Sequence, residues 1–488
     1  MTTIRHAEVV VVGGGSAGAV VAARLAEGGT QVLLLEAGPD YGPLDGGRWP
    51  TEILDATALA TTHDWGYDSG PVEGRDAWTW ERARILGGCS AHNGAIAAVG
   101  HHTDYDAWAI PGWTTDQLRP FFATALETMR VRAYTADDAT PFHRRCLEAA
   151  GSLGWAIASD LSDLDANEGF GLETVNVVDG VRWNTAFAYL DPVRERPNLH
   201  IGDHALVDRV LRRSAGWEVR CSGGEVVTAD TVVLAAGVYG TPAILQRSGI
   251  GEPDHLRSVG VTPVIESPLV GWNLHDHPMI HAGRSLKPAL RAELEAAVAR
   301  GFVPEEQTLG KACSSLAEDG IFDLHLFPVC ASAQTVLTDG RGLVEVACMT
   351  PHSRGTVRIS SADPEAAPAI DHRYLSDADD HDLRVLRDGL EMAERLLEHP
   401  ALADALEPAP RRDLSDEAIR RDVQHYFHPV GTAQMGTDPA TSACDPDGQV
   451  HGATDLYVAD VSLMPRIPRA NTNIPAIVIG ERIASLLR

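Results

Sequence analysis

The chain is short of what a membrane protein, a nucleic-acid binder or a disulfide scaffold needs. No stretch approaches the roughly 18 continuous apolar residues of a membrane-spanning helix. Basic residues are few: 40 Lys and Arg stand against 68 Asp and Glu, a formal charge of −28 over 488 residues. That balance repels phosphate backbones and anionic lipid, so no nucleic-acid partner is expected. The seven cysteines (Cys89, Cys146, Cys221, Cys313, Cys330, Cys348, Cys444) are odd in number, scattered and never spaced as CxxC. This argues against a disulfide framework and a zinc site, and suits a reducing compartment. The amino terminus runs into an apolar strand with no charged leader, apolar core and cleavage site, so a cytoplasmic location is expected. No internal repeat or low-complexity segment breaks the chain.

What is present begins at Glu8. "EVVVV" reads as a fully buried strand, because β-branched residues follow one another without polar alternation. Gly13-Gly14-Gly15-Ser16-Ala17-Gly18 follows it, then "AVVAARLAEGG" with helical apolar spacing, then "QVLLLE" as a second buried strand ending on Glu36. This is the β-α-β dinucleotide fingerprint in its required context. Gly13 makes the tight turn, Gly15 lets backbone approach a pyrophosphate at the helix N-terminus, Gly18 permits close packing, and Glu36 accepts from a ribose. Gly14-x-Ser16-x-Gly18 also matches a hydrolase nucleophile elbow, which leaves a serine hydrolase acting through Ser16 as a remote alternative. At this length two domains are expected. Later apolar runs, Val232–Ala235 before Gly237 and "DLYVAD" ending on Asp460, return the chain to the nucleotide unit, which suits an extended dinucleotide. "LRRSAGWEVRCSGGE" between them reads as an exposed hairpin.

Several runs outside the fingerprint resemble the glucose-methanol-choline (GMC) oxidoreductase family. "RARILGGCSAHN" is similar to its first signature and "GVYGTPAILQRSGIG" (Gly237–Gly251) to its second; "PLVGWNLHDHP", "PHSRGTVRISSADP", "HPVGTAQMG" and "VADVSLMPRIPRANTNIPA" follow in family order. The "GGCSAHN" stretch points to the choline oxidase/choline dehydrogenase-like branch. The resemblance implies an α/β fold: a Rossmann-like FAD-binding domain of the GMC and glutathione-reductase type, with an α+β substrate-binding domain on an antiparallel sheet. It places residues 1–100, 201–279 and 427–488 in the discontinuous FAD domain, and 101–200 and 280–426 in the substrate-binding cap.

The family's activity is oxidation of an alcohol to a carbonyl by hydride transfer to the flavin while a base takes the hydroxyl proton, a task suited to a neutral imidazole. By motif position the resemblance makes His428 the base and Asn471, eleven residues after Asp460, the group holding the substrate oxygen. Tyr426, two residues before the base, is expected in the substrate pocket, where its ring can stack. Cofactor contacts are implied for Gly13, Gly15, Ser16, Gly18, Glu36, Ala37, Arg84, Gly88, Ser90, His92, Asn93, Gly94, Ala95, Val207, Ala236, Gly237, Asp460, Val461, Asn471 and Thr472. In the choline oxidase branch the histidine matching His92 is bonded covalently to the flavin, so FAD attached through His92 is expected here.

Two histidine groups raise a metal reading: His275, His277 and His281 in "HDHPMIH", and the adjacent His101 and His102. Neither has the carboxylates or cysteines that would complete a ligand set in sequence, so no metal is expected. The partners expected are a small alcohol and an acceptor, oxygen or a quinone, with a homodimer left open. A family member that keeps FAD without net redox chemistry, a hydroxynitrile lyase, is the alternative of a different class. Gly94 stands where the choline oxidase branch has serine, and Thr350 where it has histidine, so the choice of alcohol stays open.

Overall fold

The computed structural model describes residues 5–70, 77–330 and 340–488. Following the chain, β1 (His6–Val12) turns through the glycines into α1 (Gly18–Glu27) and β2 (Val32–Leu35). After α2 (Thr115–Thr128) and α3 (Pro141–Ser152) come β3 (Ile157–Ala158) and β4 (Gly169–Leu172), then β5 (Leu199–Gly202), β6 (Val207–Arg212), β7 (Trp217–Cys221), β8 (Val226–Leu234) and α4 (Gly237–Arg247). The third stretch holds β9 (Pro278–Ser285), α5 (Pro288–Val298), β10 (Thr308–Ala312), β11 (Leu324–Cys330), β12 (Arg341–Cys348), α6 (His381–Glu398) and β13 (Gln424–His425). It closes with β14 (Leu456–Val458) and α7 (Asn473–Leu487).

These strands fall into two sheets. The first has the order β6-β7-β8-β1-β2-β5, with β14 also on β8. β1 runs parallel to β2 and β8, and Val10 and Val11 at its centre are fully buried, as a strand covered on both faces requires. β8 divides its free edge: its first half pairs antiparallel with β7, and Val232–Leu234 pair parallel with Leu456–Val458 of β14. The hairpin β6-β7 forms where expected, but it is exposed on one side only, since Trp217 and Val219 are buried.

The second sheet, ordered β13-β9-β12-β11-β10-β4-β3, is antiparallel except for the β3-β4 pair. α6 lies across β9 and β12 with Leu383, Leu386, Leu390 and Leu397 turned inward at helical spacing. Gly389 lets it come that close, because a Cβ there would sit 2.3 Å from Val346. Each sheet has its own apolar core. Residues 101–200, expected wholly in the substrate-binding layer, serve both. Tyr105, Trp113, Phe122 and Phe187 join the core of the parallel sheet, α2 packing on α7, whereas Phe142 and Phe170 join that of the antiparallel sheet. Among the described residues no helix is long and apolar enough to cross a membrane.

Candidate active site

One cavity of about 620 Å³ runs between the two sheets. At its nucleotide end Gly13 adopts φ +96°, and a Cβ on Gly18 would lie 1.9 Å from the Gly13 carbonyl, so the turn can be made only by glycine at both places. Glu36 lines the cavity, and its carboxylate accepts from the amides of Gly14 and Gly38, each at 2.8 Å. Burial raises its pKa, and these amides oppose the rise. Each oxygen keeps a lone pair for a hydroxyl donor, as ribose recognition needs. The Ser16 hydroxyl donates to Asn473 Oδ1 at 2.9 Å, so it is bonded to an amide and not to a base. That removes the hydrolase reading.

The GGCSAHN stretch forms a single 3-10 turn, Gly88–Ala91, pressed against the first loop: a Cβ on Gly88 would meet Gly15 Cα at 2.6 Å. Ser90 faces away from the cavity; its hydroxyl, fully buried, donates to the Gly87 carbonyl at 2.6 Å and meets Thr185 at 3.0 Å. His92 follows the turn and lines the cavity. Its ring is buried, its Nε2 has no hydrogen-bond partner, and burial lowers its pKa. The result is a neutral imidazole with an unspent nitrogen facing the cofactor space. Asn93 and Gly94 also line the cavity, and Asn93 Oδ1 accepts from the Ala95 amide at 3.0 Å, which holds Ala95 at φ +60°.

At the far end of the cavity the residues come from loops distant in sequence. His428 Nδ1 lies 3.2 Å from His277 Nδ1, and the His428 and His277 amides donate to Asp276 Oδ1 at 2.9 and 2.8 Å. Asp276 Oδ2 accepts from the Tyr374 hydroxyl at 2.8 Å. Burial pushes the Asp276 carboxyl up to about 6 and the His277 imidazole down to about 3, and it takes His428 well below the ordinary histidine range. Both rings are therefore neutral. His277 Nε2 is buried with no hydrogen-bond partner, so the ring's polar contact is the one its Nδ1 makes with His428 Nδ1. Across the Nδ1–Nδ1 contact one neutral ring donates and the other accepts; with His428 as the donor, its Nε2 carries the lone pair at the cavity wall.

Asn471 lines the same end with its Oδ1 buried and unpartnered, and its side chain hydrogen-bonds the Tyr426 hydroxyl. Tyr426 stacks on Phe327 with ring centres 4.7 Å apart and lies 4.3 Å from the His428 ring. Arg82, half-buried beside them, donates to the Phe427 carbonyl at 2.9 Å. Met279, Glu306 and Glu345 also line the cavity.

Of the residues expected around the cofactor, Gly13, Gly15, Ser16, Glu36, Ala37, Gly88, His92, Asn93, Gly94, Val207, Ala236, Gly237, Asp460, Val461, Asn471 and Thr472 line this cavity. Four do not. Gly18 is a packing residue, Ser90 and Ala95 are buried behind the turn, and Arg84 donates to the Ala37 carbonyl at 3.3 Å while stacking on Trp65. Asp460 serves through its carboxylate, which accepts from the Gly237 amide at 2.9 Å and the Thr241 hydroxyl at 2.6 Å. His277, Asp276, Arg82, Glu306 and Glu345 escaped the sequence reading. The run "HDHP" holds the first two, but as a family-like loop and a candidate metal cluster it gives no sign of a contact with His428.

The candidate metal histidines are otherwise engaged. His275 uses Nδ1 toward the Asn273 carbonyl at 2.6 Å and accepts from the Ile467 amide on Nε2 at 3.0 Å; His101 caps a short helix through Thr103. Elsewhere Cys348, His381 and Asp382 lie close enough to share an ion, but Asp382 already accepts from the amides of His352 and Ser353.

A nucleotide loop at one end and a neutral histidine beside an unpartnered amide at the other define a flavin-dependent oxidoreductase site. Unspent polar atoms at His92, Asn471 and Asn473 fit a large polar cofactor laid along the cavity. The GMC oxidoreductase N-terminal model matches residues 7–279 and its C-terminal model residues 351–480. The chain belongs to the GMC oxidoreductase family and is an FAD-dependent enzyme. It is 32% identical over 551 aligned residues to oxygen-dependent choline dehydrogenase 1 of Chromohalobacter salexigens, covering 100% of this chain and 96% of the relative. Choline oxidase of Arthrobacter globiformis is 31% identical, with 99% and 94% covered. Among solved structures, pyridoxine 4-oxidase from Mesorbium loti superposes with a TM-score of 0.84 at 27% identity, covering 98% of this chain and 99% of that one.

Proposed function

We propose that the protein oxidises an alcohol to a carbonyl with His428 as the base, Asn471 as the positioning group for the substrate oxygen, and oxygen as the terminal acceptor. The observation that carries this is a neutral, buried His428 on the cavity wall, its Nδ1 3.2 Å from His277 Nδ1. Bound FAD supplies the hydride acceptor. His428 Nε2 takes the hydroxyl proton as the carbon gives up its hydride, and His277 holds the ring in the tautomer that leaves Nε2 open. Asn471, next to Tyr426, steadies the oxygen on which charge develops. Tyr426, Phe327 and Met279 keep water from the reacting carbon.

The FAD-binding unit is read as residues 1–100, 201–279 and 427–488, with 101–200 and 280–426 supplying most of the substrate side. His92 is the point of covalent attachment, its neutral ring offering Nε2 to the flavin. Oxygen is favoured over a quinone because the relatives just named are called oxygen-dependent or oxidases. The test is anaerobic flavin reduction across an alcohol panel, followed by admission of oxygen or a quinone. His428→Ala should keep flavin and slow reduction by about 10²–10⁴-fold; undiminished reduction would exclude His428. Acid precipitation should carry the yellow colour down with wild type and leave it in the supernatant for His92→Ala.

A further inference from the structure

The cavity wall beside Tyr426 is built around carboxyls. Glu345 on β12 stands opposite Phe327 on β11 and His281 on β9, and Glu306 bridges to Val329 of β11 just before β10. The Glu173 amide, at the end of β4, donates to the carbonyl of Gln307 at 3.0 Å. Three carboxyls thus come from neighbouring strands of one sheet. Glu306 and Glu345 open on the cavity that holds His428 and Asn471. Glu173 is 2% exposed behind them, and its Oε2 has no partner. No Lys or Arg among the described residues pairs with any of the three. The charges bearing on Glu345 are Glu306 and Glu305, and Arg82 bears on His428 instead. Beside the carboxyls, the stacked rings of Tyr426 and Phe327 offer faces to a cation.

A carboxyl cluster without a counter-ion, inside the chamber where a substrate must lie, is a binding feature rather than a folding one, because its ionisation is unfavourable until a cation arrives. The rings exclude a hydrated ion and leave room for an organic cation, and acceptor oxygens reward one that carries N–H donors. We propose that Glu306 and Glu345, backed by Glu173, form an ammonium subsite that selects alcohols bearing a protonated primary or secondary amine. This rests on the alcohol-oxidation reading and names its substrate class.

The pH dependence follows. Burial, aided by the charge of Glu305, holds Glu306 up to about 7, and burial, aided by Glu306 and Glu305, holds Glu345 up to about 8. The groups around them are Glu173, Glu305, the Tyr426 hydroxyl and, on the strand beside Glu345, His281; His277 and His428 across the cavity stay neutral. Above these values both are carboxylates while an alkylammonium, with a pKa of about 10, is still charged. Binding of the amine thus strengthens as pH rises from 6 to 8 and expels protons below that range.

The experiment compares holoenzyme turnover of 4-amino-1-butanol, 1-pentanol and choline between pH 6 and 9, with binding of n-butylamine measured by calorimetry in two buffers of different ionisation enthalpy. We expect 4-amino-1-butanol to exceed 1-pentanol in kcat/KM by about 10-fold or more at pH 8, and the ratio to fall by about 10-fold in Glu345→Gln and in Glu306→Gln. A ratio unchanged in both variants, or 1-pentanol preferred at pH 8, overturns the subsite; choline preferred over the primary amine overturns its N–H selectivity. If no alcohol reduces the flavin, the alcohol-oxidation reading fails, yet butylamine still decides the subsite. Proton-releasing binding that weakens in Glu345→Gln supports it, and binding indifferent to both carboxyls overturns it.

Discussion

A buried histidine in contact with a second buried histidine keeps its proton inventory fixed over a wide pH range. His428 sits in that position, its pKa pushed well below the ordinary value by burial. As pH falls through about 6.5 an exposed histidine would protonate and cease to be a base, whereas His428 does not. We therefore expect the rate of flavin reduction by a neutral alcohol such as 1-pentanol to be flat from pH 8 to pH 6; an acid limb centred near 6.5 would contradict it. His277 should matter without touching substrate. Its replacement by alanine removes the acceptor that fixes the His428 tautomer, lowering kcat on the order of 10-fold at unchanged flavin content, measured by stopped-flow reduction. The residue type and place of His428 were legible in "HPVGTAQMG", because the motif is contiguous. Its partner was not, because 151 positions separate it from His277 and only folding brings the rings together.

At the scale of elements, the two glycine turns act as one device. The turn after β1 holds Gly13, Gly15 and Gly18, the 3-10 turn holds Gly88, and the two backbones meet so closely that Gly88 has no room for a side chain against Gly15. Gly18→Ala places a methyl group 1.9 Å from the Gly13 carbonyl, so the loop must open. The purified variant should lack visible flavin absorbance and melt at lower temperature; a normally loaded variant would show that the turn can yield. These elements could be read from sequence because glycine spacing and continuous β-branched runs are local signals. The carboxyl wall could not be, since Glu306 and Glu345 acquire a common purpose only through strand register across β10, β11 and β12. Which core each helix of 101–200 joins is not legible for a similar reason: the amphipathic spacing of α2 tells that it buries one face, not which sheet's core receives it.

Over the whole molecule, two sets of buried titratable groups limit stability from opposite sides. His143 is held near about 4 and His277 and His425 near about 3, all by burial. Unfolding lets each take a proton near pH 6.5, so stability is lost as pH falls below that value. Glu306 and Glu345 work in the other direction: their pKa values are raised, so stability present in acid is lost as pH rises through about 7 and about 8. A melting curve taken against pH should fall below about pH 6, and Glu345→Gln should recover melting temperature at pH 9 more than at pH 6. The net charge of −28 adds a longer-range effect, drawing a cationic alcohol toward the cavity. Added salt should therefore lower kcat/KM for 4-amino-1-butanol severalfold and leave 1-pentanol little changed, by steady-state assay.

The strand β8 receives β14 along its parallel half, Ser16 bonds to Asn473, and Arg24 holds Glu481 through Nε at 3.0 Å. The dinucleotide turn is thus finished by residues 457 positions further along the sequence. During translation the dinucleotide loop emerges early and stays without its closing wall until the ribosome has delivered α7. Before α7 is in place there is therefore no complete site in which to retain flavin.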